Sequence, residues 1–222
     1  WDWFLAFASK PGYYSYRLTN LVDGVNGGTI PYGTLAADYS TDVFSTRATA
    51  FVNATEANDA QPFFLLVTPF APHAPSTVAP RHQSRSLTLA PYRPPSFNEA
   101  DVSDKPAWMR ALPLLTATQI GGIDKARKKM VKSLWAVDDL VESLINSLSL
   151  NGELDHTVIV FLGDNGFHYG EHRIEQGKAT PYEEALRVPL IVFDGRNPHV
   201  GTSDTFVLNI DLAPTVLEFA GL

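Results

Sequence analysis

The chain contains no cysteine, so it can form neither a disulfide nor a thiolate metal site. No apolar run approaches the roughly 20 residues that a membrane-crossing helix needs, so no transmembrane segment is expected. There is no excess of positive charge either. Lys and Arg number 17 against 24 Asp and Glu, a formal charge of −7, which argues against the basic stripe by which proteins grip nucleic acid. The one basic run, Lys125, Arg127, Lys128 and Lys129, falls in a predicted helix and reads as a solvated face. Internal repeats and low-complexity segments are absent. The opening Trp1-Asp2-Trp3-Phe4-Leu5 lacks an initiator Met, a basic stretch and a cleavage site, and reads as internal sequence rather than a signal peptide.

What is present suits one large domain, or one domain cut short: 222 residues, 45% of them hydrophobic, enough for a substantial core. Residues 1–40, rich in Tyr, Gly, Thr and Asn, predict loops with short strands. Tyr39 to Ala54 predicts a helix, with Thr41 or Ser40 as cap and Val43, Ala50 and Phe51 on one side. Pro62 to Thr68 is a short continuous apolar run between prolines, the pattern of a strand buried on both faces of a parallel sheet. Prolines recur from Pro69 to Pro113, predicting an irregular surface excursion. Thr118 to Ser149 then carries apolar residues at helical spacing, with Asn151-Gly152 as its stop. His156 to Leu162 and Val188 to Phe193 predict further strands, and Leu212 to Ala220 a helix introduced by Asp211. The succession predicts an α/β fold with a mostly parallel sheet sandwiched by helices. Asn53-Ala54-Thr55 matches an N-glycosylation acceptor, the one pointer towards a secreted or lysosomal-type compartment.

In such sheets ligands bind beyond the carboxyl ends of the strands. Two predicted strands run into chemically capable loops there. One leads to His73, held between Pro72 and Pro75; a fixed imidazole is a candidate proton donor, with a structural role as the alternative. The other leads to Gly163-Asp164-Asn165-Gly166. A carboxylate beside an amide carbonyl suits a hard cation such as calcium, and a tight Asp-Asn-Gly turn is the plainer reading. Two oxygens fall short of the six to eight that calcium takes, so other ligands must complete the shell. Lys178, after Gly177, is either an anion-contacting point charge or an exposed loop lysine. His168 and His172 stand four apart, but the glycines around them and the missing Glu of H-E-x-x-H argue against a zinc pair.

Taken in order, these segments resemble the sulfatase family of the alkaline phosphatase superfamily, in its N-acetylglucosamine-6-sulfatase-like and arylsulfatase-like branch. The resemblance rests on Ala71-Pro72-His73-Ala74-Pro75, Ala136-Val137-Asp138-Asp139, Gly163-Asp164-Asn165-Gly166-Phe167-His168, Gly170-Glu171-His172, Gly177-Lys178, Arg187-Val188-Pro189-Leu190 and Asn209-Ile210-Asp211-Leu212-Ala213-Pro214-Thr215. It implies an incomplete alkaline-phosphatase-like fold, with residues 1–222 as part of a sulfatase catalytic domain whose nucleophile segment and C-terminal subdomain lie elsewhere. It implies that Asp164 and Asn165 are calcium ligands, that His73 and Lys178 bind sulfate and help the alcohol leave, and that His168 and His172 lie near the substrate pocket. It further implies a sulfated sugar or aryl sulfate as substrate, and a formylglycine nucleophile made from a C/S-x-P-S-R motif. That motif is not in this sequence, so the chain alone is expected to be inactive. The rival expectations are an anion-binding module without catalysis and a phosphoryl-ester hydrolase of the same superfamily. Asn rather than His after Asp164 leans away from the second.

Overall fold

The computed structural model describes residues 2–22, 24–56 and 61–222. Trp1, the first residue of the opening Trp1-Asp2-Trp3-Phe4-Leu5, lies outside them. The chain forms two compact units, Trp1–Leu154 with Tyr169–Gln176, and Asp155–His168 with Gly177–Leu222.

The first unit opens with an antiparallel meander, β1 (Trp3–Phe7), β2 (Arg17–Val22) and β3 (Val25–Pro31), in that order across the sheet. Leu18 on β2 is fully buried and packs with Tyr16 and Val43, while Leu5, Phe7, Tyr32 and Phe44 close the cluster from its edge. Edge-to-face contacts of Phe7 with Tyr16 and Phe44, at 5.3 and 5.4 Å between centroids, give this small sheet most of its side-chain packing. A second cluster joins Tyr13, Tyr39, Ala71, Ala79, Ala136 and Val137.

Two helices dominate this unit. α1 (Ser40–Glu56) packs on α3 (Ala117–Asn151), and the single turn α2 (Ala107–Arg110) lies between them in sequence. α3 begins with a reciprocal cap: Gln119 N–H donates to Thr116 Oγ1 at 3.3 Å, and Thr116 N–H to Gln119 Oε1 at 2.9 Å. It stops at Gly152, whose φ of 81° suits a residue without Cβ. Asn53 of the glycosylation triplet lies inside α1, and its Oδ1 accepts from Ser147 Oγ and Asn151 Nδ2 of α3 at 2.8 and 2.9 Å. That amide is part of the helix–helix contact.

Two expectations for this unit need correction. Pro62 to Thr68 is not buried on both faces and has no ladder partner among the described residues; its side chains alternate between half-buried and exposed, with Phe64 and Leu66 outward. The half-buried side packs on protein, as where Phe63 lies edge-on to Phe51 at 5.8 Å. The proline-rich stretch is irregular as expected, but it is not purely a surface excursion. Ala71, Ser76, Ala79, Val102 and Met109 are buried, because the segment lies along α3. Arg93 forms a two-pronged bond to Asp124 at 2.9 and 2.7 Å, and Arg127 donates to the Ala90 carbonyl at 2.9 Å. The basic run of α3 therefore does more than face water.

The second unit holds β4 (Val158–Leu162), α4 (Glu183–Leu186), β5 (Leu190–Asp194) and α5 (Leu212–Phe219). β4 and β5 pair antiparallel, from Val158↔Asp194 to Leu162↔Leu190. The α/β class holds, but every ladder among the described residues is antiparallel rather than parallel. The reason is the connection. A parallel return is usually carried by a helix packed on the sheet, and the long connection from β4 to β5 holds only the single turn α4.

Candidate active site

Asp164 and Asn165 follow β4 directly, and the turn they form is shaped by two glycines. A Cβ on Gly166 would lie 2.2 Å from the Glu184 carbonyl oxygen, so only glycine allows α4 to close over the turn. Gly166 N–H donates to the Ala185 carbonyl at 2.9 Å, and Gly163 N–H to that of Pro189 at 3.2 Å. The turn is thereby tied to α4 and to the start of β5.

Within it, Asp164 Oδ1 accepts from the Asn165 N–H at 2.9 Å. Asn165 Nδ2 donates to the Gly166 carbonyl at 2.8 Å. That bond settles the amide's orientation, because a carbonyl can only accept. Asn165 Oδ1 then points to Lys178, whose Nζ donates to it at 2.9 Å. Asn209 Nδ2 approaches the Asp164 carbonyl at 3.5 Å. The second unit thus brings a carboxylate, an amide oxygen and an ammonium together, with Asp164 and Lys178 exposed to solvent.

Lys178 is held through its neighbours. His168 is fully buried, its backbone N–H donates to the Gly177 carbonyl at 2.7 Å, and its Nε2 lies 2.6 Å from Thr180 Oγ1. One residue therefore holds the segment on both sides of Lys178, by its backbone N–H at Gly177 and by its imidazole at Thr180. His168 lies inside the protein rather than at an open surface.

His73 and His172 belong to the first unit. The His73 carbonyl accepts from Tyr13 Oη at 2.7 Å and from Ser76 N–H at 3.0 Å, and Ser76 Oγ donates to the Pro72 carbonyl at 2.8 Å. Burial pushes the Tyr13 phenol up to about 12, so it remains a neutral donor. The imidazole Nδ1 lies 2.9 Å from the Ala74 carbonyl. A carbonyl cannot donate, so Nδ1 carries a hydrogen and Nε2 is the nitrogen that takes up and releases a proton. His73 is exposed, with its ring against Phe70 at 4.9 Å.

His172, with φ of 52°, is nearly buried, and its Nδ1 lies 2.8 Å from Glu99 Oε2. Next to it Arg173 donates to the carbonyls of Glu99, Leu112 and Ala100 at 2.8, 2.9 and 2.7 Å. Gly170, with φ of 104°, leaves room for Phe97, whose ring would clash with any Cβ there at 2.4 Å. His172 thus anchors the proline-rich segment. Its partner Glu99 is not marked as a site residue by the sequence, nor is Thr180. Asn209 sits in one of the segments that carry the resemblance, where the sequence gives it no role of its own.

Among the described residues no group of three or more His, Cys, Asp or Glu is placed to hold a metal ion. Asp164 and Asn165 fit calcium in kind, as hard oxygen donors on a fixed turn, and supply two ligands of the six to eight it takes. No helix of the described residues is long and apolar enough to cross a membrane.

Known proteins share both the sequence and the shape. The chain is 34% identical over 225 residues to the N-acetylglucosamine-6-sulfatase of Bos taurus, covering all of this chain and 38% of that protein. It is 35% identical over 211 residues to the arylsulfatase of Volvox carteri, covering 82% of this chain and 32% of that one. The crystal structure of yidJ from Bacteroides fragilis superposes with a TM-score of 0.73 at 20% identity, over 98% of this chain and 43% of that one. BT4656, solved in complex with its substrate D-glucosamine-2-N,6-O-disulfate, gives 0.68 at 23% identity, over 100% and 55%. At these identities the two structures speak for the fold, an alkaline-phosphatase-like α/β architecture. The chain spans well under half the length of the curated relatives it matches. A family model described as Sulfatase matches residues 2–222, and the chain belongs to the sulfatase family.

Proposed function

We propose that the whole protein hydrolyses sulfuric esters of sugars, and that this chain supplies the cations, the proton donor and part of the metal shell. The observation that carries the reading is the Lys178–Asn165–Asp164 constellation, in which a fixed ammonium lies beside two hard oxygen donors at a strand end. Relatives named for N-acetylglucosamine-6-sulfate and aryl sulfate hydrolysis support the class, and the disulfated glucosamine bound by BT4656 supports a sugar.

Each residue then has a chemical task. Cleavage of the S–O bond builds negative charge on the bridging oxygen. Lys178 stabilises that charge, and His73 protonates the oxygen from Nε2, its Nδ1 being held by the Ala74 carbonyl. Asp164 and Asn165 would ligate calcium, which when bound offsets charge on the sulfuryl oxygens. His168 positions Lys178 through Gly177 and Thr180, and His172 keeps the proline-rich segment in place. The attacking group is not a cysteine product of this chain, which has none; the resemblance puts it on a formylglycine elsewhere in the protein.

The test is sulfate release by the full-length product from glucosamine 6-sulfate and an aryl sulfate, with calcium and with chelator. Turnover should require calcium. It should fall by about 10²-fold or more in Lys178→Ala and in His73→Ala, the usual cost of losing a positioned donor or acid. Full turnover in both variants, or none by the unaltered enzyme on any sulfate ester, would defeat the reading.

A further inference from the structure

Beside the His73 loop, wholly within the first unit, lies a cleft of about 290 Å³ lined by Pro75, Ser76, Thr77, Val78, Gln83 and Lys129. Its wall is held at a fixed offset from His73. Ser76 N–H and Tyr13 Oη both donate to the His73 carbonyl, Ser76 Oγ to that of Pro72, and Tyr39 Oη to that of Thr77 at 2.7 Å. Whatever occupies the cleft is therefore close to the imidazole's own segment.

The cleft's surroundings are cationic in a chain whose net charge is −7. Lys132, one helical turn from Lys129, donates to the Gln83 carbonyl at 3.2 Å. Arg85 and Lys132 both stack on Trp135, at 4.3 and 5.6 Å from its ring centroid. Among the described residues none of Arg85, Lys129 and Lys132 forms an ion pair. Of the acids near them in sequence, Asp124 pairs with Arg93 and Asp139 with Arg81 and His82, while Asp138 forms no ion pair with any of the three among the described residues. Lys129 on the cleft, with Lys132 beside it on Gln83 and Arg85 sharing the Trp135 ring with Lys132, makes a cationic patch without an ion-pair partner among the described residues, and an anion relieves the repulsion within it.

Resting on the sulfatase reading, we infer that this cleft is a second anion subsite, which receives a further sulfate group of a multiply sulfated sugar while His73 serves the ester being cleaved. The lining favours sulfate over carboxylate. A lysine is a point charge that suits the oxygens of a tetrahedral sulfate and lacks the two-pronged fork by which an arginine matches a planar carboxylate. Lys129 lines the cleft beside the amide of Gln83 and the hydroxyl of Thr77, a charge and two neutral donors for three oxygens.

The experiment is an NMR titration of the ¹⁵N-labelled chain with glucosamine 2-N,6-O-disulfate and, separately, with glucosamine 6-O-sulfate. The disulfate should bind about tenfold tighter or more and shift the amides of Thr77, Gln83 and Lys129. Lys129→Glu, on an exposed helix position, should abolish that advantage and leave the affinity for the monosulfate unchanged, with the remaining spectrum confirming the fold. A disulfate that binds no tighter than the monosulfate, no binding of either, or an advantage that survives Lys129→Glu would overturn the inference. His73→Ala separates the two ideas. If it changes neither affinity while Lys129→Glu still acts, the subsite stands and the assignment of His73 to the cleaved ester fails.

Discussion

The two units of this chain differ in how they hold their apolar residues. The first buries Leu18, Tyr39, Val52, Met109 and Ile123 almost completely, whereas among the described residues the only buried apolar residue of the second is Ala185. In the second unit, Ile191, Val192, Leu190 and Phe193 follow one another along β5, all exposed on alternating faces. A continuous apolar strand belongs between two layers, so β5 carries the composition of an inner strand without the covering layers. The difference teaches that the two halves of the proposed chemistry rest on unequal foundations. The His73 loop and the cleft beside it rest on a packed core. The Asp164–Asn165–Lys178 constellation rests on local bonds: the Gly166 turn, the His168 grip and two short backbone ties.

The largest effect should come from breaking the local bonds. Gly166→Ala forces a Cβ against the Glu184 carbonyl, and a displacement of about 1 Å at a catalytic group costs on the order of 10²-fold in rate. Sulfate release by the full-length enzyme should fall by that factor, with little loss of thermal stability if the damage stays within the turn. The comparison is sharpened next by paired truncations. Met109→Ala should cost about 2–5 kcal/mol by denaturant unfolding, since it opens a cavity at a fully buried site. Ile191→Ala, at a side chain 61% exposed, should change the stability of the chain by less than about 0.5 kcal/mol. Equal costs would show that β5 is better covered than its exposure indicates. In the same spirit, hydrogen exchange of the chain should be slow in the buried turns of α3 and fast across β4 and β5.

A smaller, pH-dependent effect tests the charge cluster between α1 and α3. Asp139 accepts from Arg81 Nε and His82 Nε2 at 2.6 and 2.7 Å, and Arg81 also pairs with Asp42 at 2.5 Å. Burial raises the Asp139 carboxyl, but the bonds from Arg81 and His82 outweigh it, and its pKa lies below the ordinary value of 3.8. A carboxyl depressed on folding stabilises above its unfolded pKa, and that stability is lost as pH falls through the folded value. Asp139→Asn should therefore cost on the order of 1 kcal/mol at pH 7, the cluster being a third exposed. The gap should close as pH falls below 4. A gap that persists at pH 2 would point to shape rather than charge.

Much of this was legible in the sequence where one residue's neighbours in the chain decide its structure. The apolar repeat from Ile123 to Leu148 and the Gly152 stop mark α3 closely, although the Thr116–Gln119 cap starts it slightly earlier. Asp164, Asn165 and Lys178 were each marked, and their convergence is what the fold adds. Long-range pairing was less legible. Nothing in Val188 to Phe193 says whether the strand returns parallel or antiparallel; the helix-poor loop before it decides. The glycines around His168 and His172 tell against a zinc pair, and the resemblance places both near the pocket. In the fold their side chains meet different partners, Thr180 and Glu99, each far from any pattern a single sequence displays.

The most direct test of the central claim is a crystal structure of the full-length protein with calcium and glucosamine 6-sulfate bound. The account predicts the ion within about 2.3–2.6 Å of an Asp164 carboxylate oxygen and Asn165 Oδ1, with the ester sulfate hydrogen-bonded by Lys178 Nζ and His73 Nε2. An ion or sulfate bound away from these four side chains would contradict it.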